Sequence, residues 1–300
     1  MKKEFNAALV LEGGSLRCLF TAGVLDVFME QGIWLPYVIG VSAGSLSGIN
    51  YVSGQIGRTA KINLDYIEDK RYLGIRNLLT GKGIFNFDFL FGEITEQLIP
   101  LDKETFYHSP TRYLAVATCC EDGTPRYFEK DHCSDIMLAA RASSSMPLLA
   151  RMVELNGEHL LDGGISMPVA YEKAKKDGYQ KRVLILTREH GYQKKQPSSA
   201  ILTAFEKAYR QYPHLVEKLL TMPKRYNQMQ KEIDLLEKKG ELFVIRPEFP
   251  VTISRIEKDR TKLNALYQEG RKVAEKQLVA LNRFLEQHPS SLEKKLASSL

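Results

Sequence analysis

The sequence predicts an α/β fold built around a largely parallel sheet. Two apolar runs near the start, residues 7–11 and 33–44, are each followed by a stretch of helical character, an alternation typical of a βαβ unit. A later run, Arg182 to Thr187, is long and apolar enough to be a central parallel strand. The 300 residues, 44% of them hydrophobic, are sufficient to enclose one large core.

The first predicted strand ends at a double glycine, Gly13-Gly14, and an amphipathic helix is predicted from Leu19 to Gln31. A glycine turn between a strand and a helix leaves backbone N–H groups free at the positive end of the helix dipole. We therefore expect an anion site at Gly13 and Gly14, with Arg17 adding a positive charge. Dinucleotide binding is not expected, because the G-x-G-x-x-G spacing is absent.

The second run ends on a serine with a glycine two positions to either side, namely Gly40, Ser42 and Gly44. A strand that turns sharply into a helix strains the residue at the turn, and larger side chains two positions away would collide. The glycines remove these collisions and expose the hydroxyl to a base on one side and to backbone N–H groups on the other. Ser42 is the predicted nucleophile.

The middle of the chain contains a predicted third strand, Arg112 to Thr118, followed by a hairpin turn at residues 121–124. A helix is predicted from Ser134 to Ala142. Residues 52–110 alternate polar helical segments with aromatic turns. The phenylalanines at alternating positions of residues 83–91 are interpreted as core residues, although they could line an entrance for an acyl chain.

A second polar motif, Asp162-Gly163-Gly164, follows a short apolar run. The glycine turn gives the carboxylate little steric cover, so that it can approach another loop closely. A buried carboxylate whose pKa is raised toward neutrality can act as the general base for a serine without a histidine. Asp162 is the candidate base. His190, which follows the Arg182 strand, is the alternative, in the chain order serine, aspartate, histidine.

Beyond residue 190 the sequence becomes mainly helical, and we predict a catalytic domain over residues 1–190 with a helical C-terminal extension over residues 191–300 packed on it. A short strand is predicted from Leu242 to Ile245, and residues 290–300 are predicted to be a frayed tail. The predicted helices of this half are Val169–Lys176, Ala200–Tyr209, Pro213–Met222, Lys224–Lys239 and Lys258–Gln287.

The net charge of +6 is concentrated in the last third of the chain. Residues 1–188 carry 21 basic and 22 acidic side chains, whereas residues 189–300 carry 21 basic and 14 acidic ones. This asymmetry suits an anionic membrane surface or a nucleic acid. Because the basic residues alternate with acidic ones, a solvated helical face is the favoured interpretation, and no nucleic acid partner is expected.

The cysteines and histidines predict neither disulfides nor a metal site. Cys18, Cys119, Cys120 and Cys133 lack a C-x-x-C spacing, and the six histidines are scattered. We expect reduced thiols, no metal and no cofactor. The apolar run of residues 7–11 is too short for a signal sequence or a membrane span, so we expect a cytoplasmic protein that could attach transiently to a membrane surface.

Taken in order, the motifs at residues 13–17, 40–44 and 162–164 resemble those of the bacterial patatin-like phospholipases. The resemblance covers roughly residues 7–190 and includes the small-residue segment 142–147 ahead of the aspartate. It implies a three-layer α/β/α fold with a helical C-terminal extension, and hydrolysis of lipid acyl esters by a Ser-Asp dyad.

Carried over by position, the resemblance makes Ser42 the nucleophile and Asp162 the base, and it places Gly13, Gly14 and Arg17 around the oxyanion. Ser15 and Cys18 stand where the family usually has glycine. A positive φ at either position would strain the backbone and reshape the oxyanion loop.

Three functions follow from these observations. The first is a phospholipase or lysophospholipase that cleaves lipid acyl esters through an acyl-enzyme on Ser42, with Asp162 as base. The second is an esterase in which His190 completes a Ser-His-Asp triad. The third is a catalytically weak protein that binds lipid or a partner through its basic last third.

Overall fold

The computed structural model describes residues 3–287. Its ten strands alternate with helices through most of the chain, as the sequence predicts. The strands are β1 (Lys3–Glu4), β2 (Ala7–Leu11), β3 (Ile33–Trp34), β4 (Tyr37–Val41), β5 (Arg112–Cys119), β6 (Pro125–Glu129), β7 (Val153–Leu155), β8 (Glu158–Asp162), β9 (Lys181–Ile185) and β10 (Leu242–Ile245).

Eleven α-helices lie within the described residues. They are α1 (Cys18–Glu30), α2 (Ala43–Val52), α3 (Arg58–Tyr66), α4 (Ile75–Leu79), α5 (Phe87–Phe89), α6 (Lys103–His108), α7 (Ile136–Ser143), α8 (Tyr171–Lys176), α9 (Ser199–Ala208), α10 (Pro213–Lys238) and α11 (Arg260–Glu286). Short 3-10 turns occupy Ser15–Arg17 and Gly163–Ile165, and a π-helical segment spans Leu90–Leu98. A π-helical segment of this kind is uncommon in proteins and often occurs at functional sites.

Eight of the strands form one sheet in the order β10-β9-β2-β4-β5-β8-β7, and β6 pairs with β5 beside this path. The pairs from β10 to β5 are parallel, whereas β6, β7 and β8 pair antiparallel. Alternate residues of the buried strands enter two different cores, as the period of two requires. In β2, for example, Leu9 and Leu11 face one core and Ala8 and Val10 the other. The predicted three-layer α/β/α fold is confirmed.

Residues beyond 190 pack on both faces of this sheet and extend it. Strand β10 pairs in parallel with β9 and becomes an edge strand of the sheet. Helix α11 packs against α1 on one face, and Ile233 of α10 joins the core on the other. The division of the chain near residue 190 stays a prediction. The predicted tail of residues 290–300 lies outside the described residues.

One helix prediction is wrong. Pro223 was expected to separate two helices, but α10 continues through it from Pro213 to Lys238. Proline lacks the N–H that would bond the preceding turn, and its ring crowds that turn. Here the guanidinium of Arg225 donates to the carbonyl oxygen of Lys218 at 2.8 Å. The carbonyl that Pro223 leaves without its usual donor is that of Leu219, so this bond supports the same turn without replacing the lost one. The buried face of α10 nevertheless continues through the proline, from Leu219 to Tyr226.

Of the helices between residues 3 and 287, none combines the length and the apolar character that a crossing of the bilayer demands.

Candidate active site

Ser42 lies at the point where β4 ends and α2 begins, and its backbone has φ of 54° and ψ of −130°. A side chain rarely tolerates such a conformation. A Cβ added at Gly40 would lie 2.5 Å from the Cα of Ser45, and one added at Gly44 would lie 2.7 Å from the carbonyl oxygen of Leu11. Both contacts are with backbone, which cannot move aside, so the two glycines are required by the sharp turn.

The register of β5 explains why Ser42 and Asp162 meet. Val41, the last residue of β4, pairs with Val116 of β5, and Asp162 of β8 pairs with the next residue, Ala117. Because Ala117 also pairs with β6 on its other side, β8 occupies the same edge of β5 as β4. The antiparallel β8 therefore ends beside the end of β4, and the two motifs meet although they lie 120 residues apart.

The Ser42 hydroxyl donates a hydrogen bond of 2.6 Å to Oδ2 of Asp162. The other carboxylate oxygen, Oδ1, accepts from the backbone N–H of Gly164 at 2.8 Å. A Cβ at Gly163 would lie 2.1 Å from the carbonyl oxygen of Val116, so this turn can approach β5 only with glycine there. Both carboxylate oxygens are thus fixed, and one of them faces the serine.

Burial raises the pKa of Asp162 above its ordinary value. The hydrogen bonds from Ser42 and from the N–H of Gly164 offset part of this rise, as do the positive charges of Arg255 and Lys194. A carboxylate with a raised pKa is a stronger base than an exposed one and can still be ionised near neutral pH. The environment therefore suits proton abstraction from the serine.

The glycine loop lies directly against the serine. A Cβ added at Gly13 would come within 2.8 Å of the Ser42 Cβ, and one at Gly14 within 2.7 Å of Oγ1 of Thr187. Among the described residues, the N–H groups of Gly13 and Gly14 find no acceptor. The N–H of Ala43, at the start of α2, is likewise without one. These free donors next to Ser42 are the kind that stabilise an oxyanion.

Ser15 adopts the positive φ that the sequence analysis identified as costly, with a value of 51°, whereas Cys18 has an ordinary φ of −61°. The Ser15 hydroxyl donates to the carbonyl oxygen of Arg255 at 2.7 Å. Burial raises the pKa of the Cys18 thiol to about 12, so this cysteine remains an inert thiol at neutral pH. The serine that replaces a glycine therefore connects the loop to a distant segment.

Ser143 is a site residue that the sequence analysis did not single out. Its hydroxyl accepts a hydrogen bond of 2.8 Å from the backbone N–H of Ser42, and it is completely buried at the end of α7. It lies in the small-residue segment that the family resemblance indicated, but a serine in such a segment carries no signal of its own. The contact helps to hold the strained turn in place.

An apolar cavity opens on one side of Ser42. It comprises about 810 Å³ of empty space, open solvent included. The phenylalanines of residues 83–91 belong to the core or pack against it, as predicted, and all of them except Phe89 also line the cavity together with other apolar side chains. These lining residues include Ile62, Phe85, Phe87, Leu90, Phe91 and Met137. Because both cavity and core are apolar, the sequence pattern could not distinguish the two roles.

A second cavity meets the first at Ser15, Ser42 and Met146 and comprises about 1500 Å³ of empty space, open solvent included. It is called the polar cavity here for the charged side chains in its lining, which also contains apolar residues such as Phe205 and Leu219. Asp162, Gly13 and Gly14 are among the residues that line it. Basic side chains line its walls, among them Arg17, Lys194 and Arg255. Arg17, expected beside the oxyanion, thus faces this cavity, and Lys194 and Arg255 come from the part of the chain beyond residue 190.

His190 is not brought to Ser42. Its Nε2 lies 3.4 Å from Oδ2 of Asp234, its side chain is largely exposed, and it lines neither cavity. No group of three or more potential metal ligands occurs between residues 3 and 287.

The fold and the site together define an α/β/α protein with a glycine-flanked serine at a strand end, in hydrogen-bond contact with an aspartate. The chain belongs to the patatin-like phospholipase family, whose model matches residues 9–174, more than half of the sequence. A second model, a domain of unknown function (DUF6363), matches residues 212–286.

The uncharacterized protein YjjU of Escherichia coli strain K12 is 33% identical over 187 residues, which cover 60% of this chain and 51% of YjjU. The matching part thus spans about half the length of this relative. Among solved structures, VipD from Legionella pneumophila is similar, with a TM-score of 0.49 and 13% identity over 93% of this chain and 67% of the VipD chain.

Proposed function

We propose that this protein hydrolyses acyl esters of lipids through an acyl-enzyme formed on Ser42, with Asp162 as the general base. The observation that carries the proposal is the 2.6 Å hydrogen bond from the serine hydroxyl to the aspartate, at the boundary of an apolar and a polar cavity. A lipid ester has the same division, with an apolar chain on one side of the carbonyl and a polar alcohol on the other.

In the first half of the reaction, Oγ of Ser42 attacks the ester carbonyl carbon while Asp162 accepts the hydroxyl proton. The negative charge that develops on the carbonyl oxygen is stabilised by backbone N–H groups of Gly13 and Gly14. The tetrahedral intermediate then collapses. The bond to the alcohol breaks, Asp162 returns the proton to the departing oxygen, and the acyl group remains on Ser42.

In the second half, a water molecule attacks the acyl carbonyl and transfers a proton to Asp162. Collapse of the second intermediate breaks the ester bond to Ser42, which regains its proton, and the fatty acid leaves. One base serves both halves, because its proton is taken up and returned in each. The apolar cavity would hold the acyl chain throughout, since it opens directly at Ser42.

The test is hydrolysis of a monoacyl lipid ester by wild type and two variants. We expect Ser42→Ala to lower kcat by roughly 10⁴-fold or more, and Asp162→Asn by at least roughly 10²-fold, the usual contribution of a general base. Ser199→Ala and Asp131→Asn change exposed residues outside both cavities and serve as matched controls. Full activity in Ser42→Ala would refute the proposal.

Comparison with His190→Ala addresses the triad alternative. The Asp162 contact and the position of His190 beside Asp234 argue for the dyad, so we expect His190→Ala to retain its rate. A loss of acylation in His190→Ala, with Asp162→Asn active, would instead favour a triad. A folded wild type that hydrolyses no lipid ester would favour a binding protein.

A further inference from the structure

Three cations line the polar cavity without an acidic partner. Arg17, Lys194 and Arg255 make no ion pair with any carboxylate of the described chain. Nε of Arg17 is completely buried and donates no hydrogen bond. Arg246, by contrast, bonds both Asp234 and Glu237. The buried Arg58 also has no carboxylate partner, but it donates to carbonyl, amide and hydroxyl oxygens. The cavity therefore holds positive charge that the protein itself does not neutralise.

The nearest acidic group apart from Asp162 is committed to other donors. Glu12 accepts from the backbone N–H of Thr187 at 2.6 Å and from the Tyr226 hydroxyl at 2.8 Å. It attracts Arg17 and Lys194 without bonding them. Arg188, a further basic residue of the cavity wall, donates to a backbone carbonyl and stacks on Tyr192. Lys195 also lines the cavity but is exposed, and Lys194 keeps N–H groups free although its ammonium lies over the Tyr226 ring. Arg17, Lys194 and Arg255 act electrostatically on one another and form the group of donors available to a ligand.

The pKa values of Lys194 and Arg17 reflect the proximity of the three cations. Burial lowers the pKa of Lys194 to about 8, and the charge of Arg255 contributes to this shift. Burial, Arg188 and Arg255 lower the pKa of Arg17 to about 10. Holding like charges together in a partly buried cavity is unfavourable, and an anion between them would relieve the repulsion.

Hydrogen bonds hold the backbone at Lys194 and at Arg255. The N–H of Lys194 donates to Oδ1 of Asn227 at 2.7 Å, and Nδ2 of Asn227 donates back to the Lys194 carbonyl at 3.1 Å. The Lys194 ammonium lies 4.3 Å from the centre of the Tyr226 ring. Arg255 is connected to the glycine loop by the 2.7 Å hydrogen bond from Ser15 to its carbonyl oxygen. Lys194 is thus held by backbone and ring contacts, and the backbone of Arg255 is joined to the glycine loop while its side chain is exposed at the cavity.

We propose that Arg17, Lys194 and Arg255 form a binding subsite for the phosphate of the substrate's alcohol group. This inference rests on the proposed function, because it places the acyl chain in the apolar cavity and the remainder of the ester on the other side of Ser42. The preferred substrates are then acyl esters of glycerol phosphate with a net negative headgroup. Uncharged acylglycerols lack the phosphate, and a choline headgroup would bring a cation toward the cluster.

The first test measures binding without catalysis. Calorimetry with full-length Ser42→Ala would compare a medium-chain monoacylglycerol phosphate with the monoacylglycerol of the same chain length. We expect the phosphate ester to bind at least about tenfold more tightly, since hydrogen bonds between charged groups are stronger than neutral ones. Inorganic phosphate, titrated alone and as a competitor, shows whether the phosphate suffices without the lipid. Equal affinity for the two lipids would overturn the proposal.

The second test assigns the subsite to its residues. Lys194→Gln and Arg255→Gln, each added to Ser42→Ala, should weaken binding of the phosphate ester by about tenfold. Lys272→Gln and Arg283→Gln change exposed basic residues on α11, outside the polar cavity, and should leave its affinity unchanged. Because Arg255 is exposed, its substitution reports on binding even if Lys194→Gln misfolds. Unchanged affinity in a folded Lys194→Gln and in Arg255→Gln would overturn the assignment.

The third test separates this inference from the proposed function. In proteins with Ser42 intact, we expect kcat/KM to favour the phosphate ester over the uncharged ester, and the ratio to fall in Arg255→Gln but not in Arg283→Gln. Hydrolysis of both esters without preference would overturn the subsite and leave the hydrolase intact. Selective binding to Ser42→Ala, with no hydrolysis by wild type, would support the subsite and contradict the hydrolase.

Discussion

Ser42 is held in a conformation that costs of the order of 1–3 kcal/mol, a strain that persists only where the surroundings fix it. Two contacts do so. The Ser42 N–H donates to Ser143 at 2.8 Å, and the Ser42 carbonyl accepts from the N–H of Ser45 at 2.8 Å. In this conformation the hydroxyl lies 2.6 Å from Oδ2 of Asp162. The geometry of the site is thus set before any substrate enters.

The charges around Asp162 predict how its activity depends on pH. A general base must be ionised, so kcat/KM for an uncharged ester should fall as the pH drops through the raised pKa of Asp162. Arg255 and Lys194 favour the ionised form of this carboxylate. In Arg255→Gln we therefore expect the acid limb of the pH profile to move to higher pH.

The measurement is the pH dependence of kcat/KM for wild type and Arg255→Gln, with Arg283→Gln as the matched control. The uncharged ester avoids any titration of the substrate. An acid limb in Arg255→Gln that coincides with that of wild type, or lies at lower pH, would contradict the electrostatic account of Asp162.

At the scale of single residues, local patterns predicted the motifs but not their surroundings. Ser42 and its glycines could be found because a sharp strand-to-helix turn imposes small residues at fixed spacing. Ser143, Lys194 and Arg255 could not, because each reaches the site from a distant part of the chain and has no motif around it. The positive φ of Ser15 was anticipated as a cost, but its bond to Arg255 was not.

Helices α1 and α11 pack with their backbones in contact at two glycines. A Cβ at Gly23 would lie 2.2 Å from the carbonyl oxygen of Tyr267, and one at Gly270 would lie 2.2 Å from that of Phe20. Alanine favours a helix over glycine by about 1 kcal/mol, whereas overpacking against rigid atoms costs about 1–3 kcal/mol or more. Because a backbone carbonyl cannot rotate away, we expect the clash to dominate in Gly270→Ala.

Urea unfolding of Gly270→Ala should therefore give a lower free energy of unfolding than wild type. Gly92→Ala is the matched control, since a Cβ there would meet no atom within 4 Å. That variant should be neutral or stabilised, by at most about 1 kcal/mol. A Gly270→Ala protein as stable as wild type would show that the two helices can separate without cost.

At the scale of elements, the strand of residues 242–245 and the helix of residues 260–286 were predicted well, because their hydrophobic periodicity is strong. The continuation of α10 through Pro223 was not, since a proline usually ends or kinks a helix and the tertiary packing of the buried face on both sides of it is not visible in the local pattern. The contact between Gly23 and Gly270 joins residues far apart in sequence, and two isolated glycines within helices give no sign of it.

At the scale of the whole molecule, the last third of the chain adds to the sheet, to the helical layer and to the candidate site that the first part forms. Residues 9–174 match the patatin-like model and supply Ser42, Asp162 and the glycine loop. The remainder adds a strand to the sheet, packs α11 against α1, and contributes Lys194 and Arg255 to the polar cavity. The positive charge concentrated there was interpreted from sequence as a solvated helical face, and two of its residues instead face the candidate active site.

The central claim is that Ser42 is a nucleophile activated by Asp162. Its most direct test is labelling of the purified protein with a fluorophosphonate probe, followed by mass spectrometry of the labelled peptide. The account predicts a phosphonyl group on Ser42, none in Ser42→Ala, and much slower labelling in Asp162→Asn. Labelling of a different residue, equal labelling in Asp162→Asn, or no labelling of the folded wild type would contradict it.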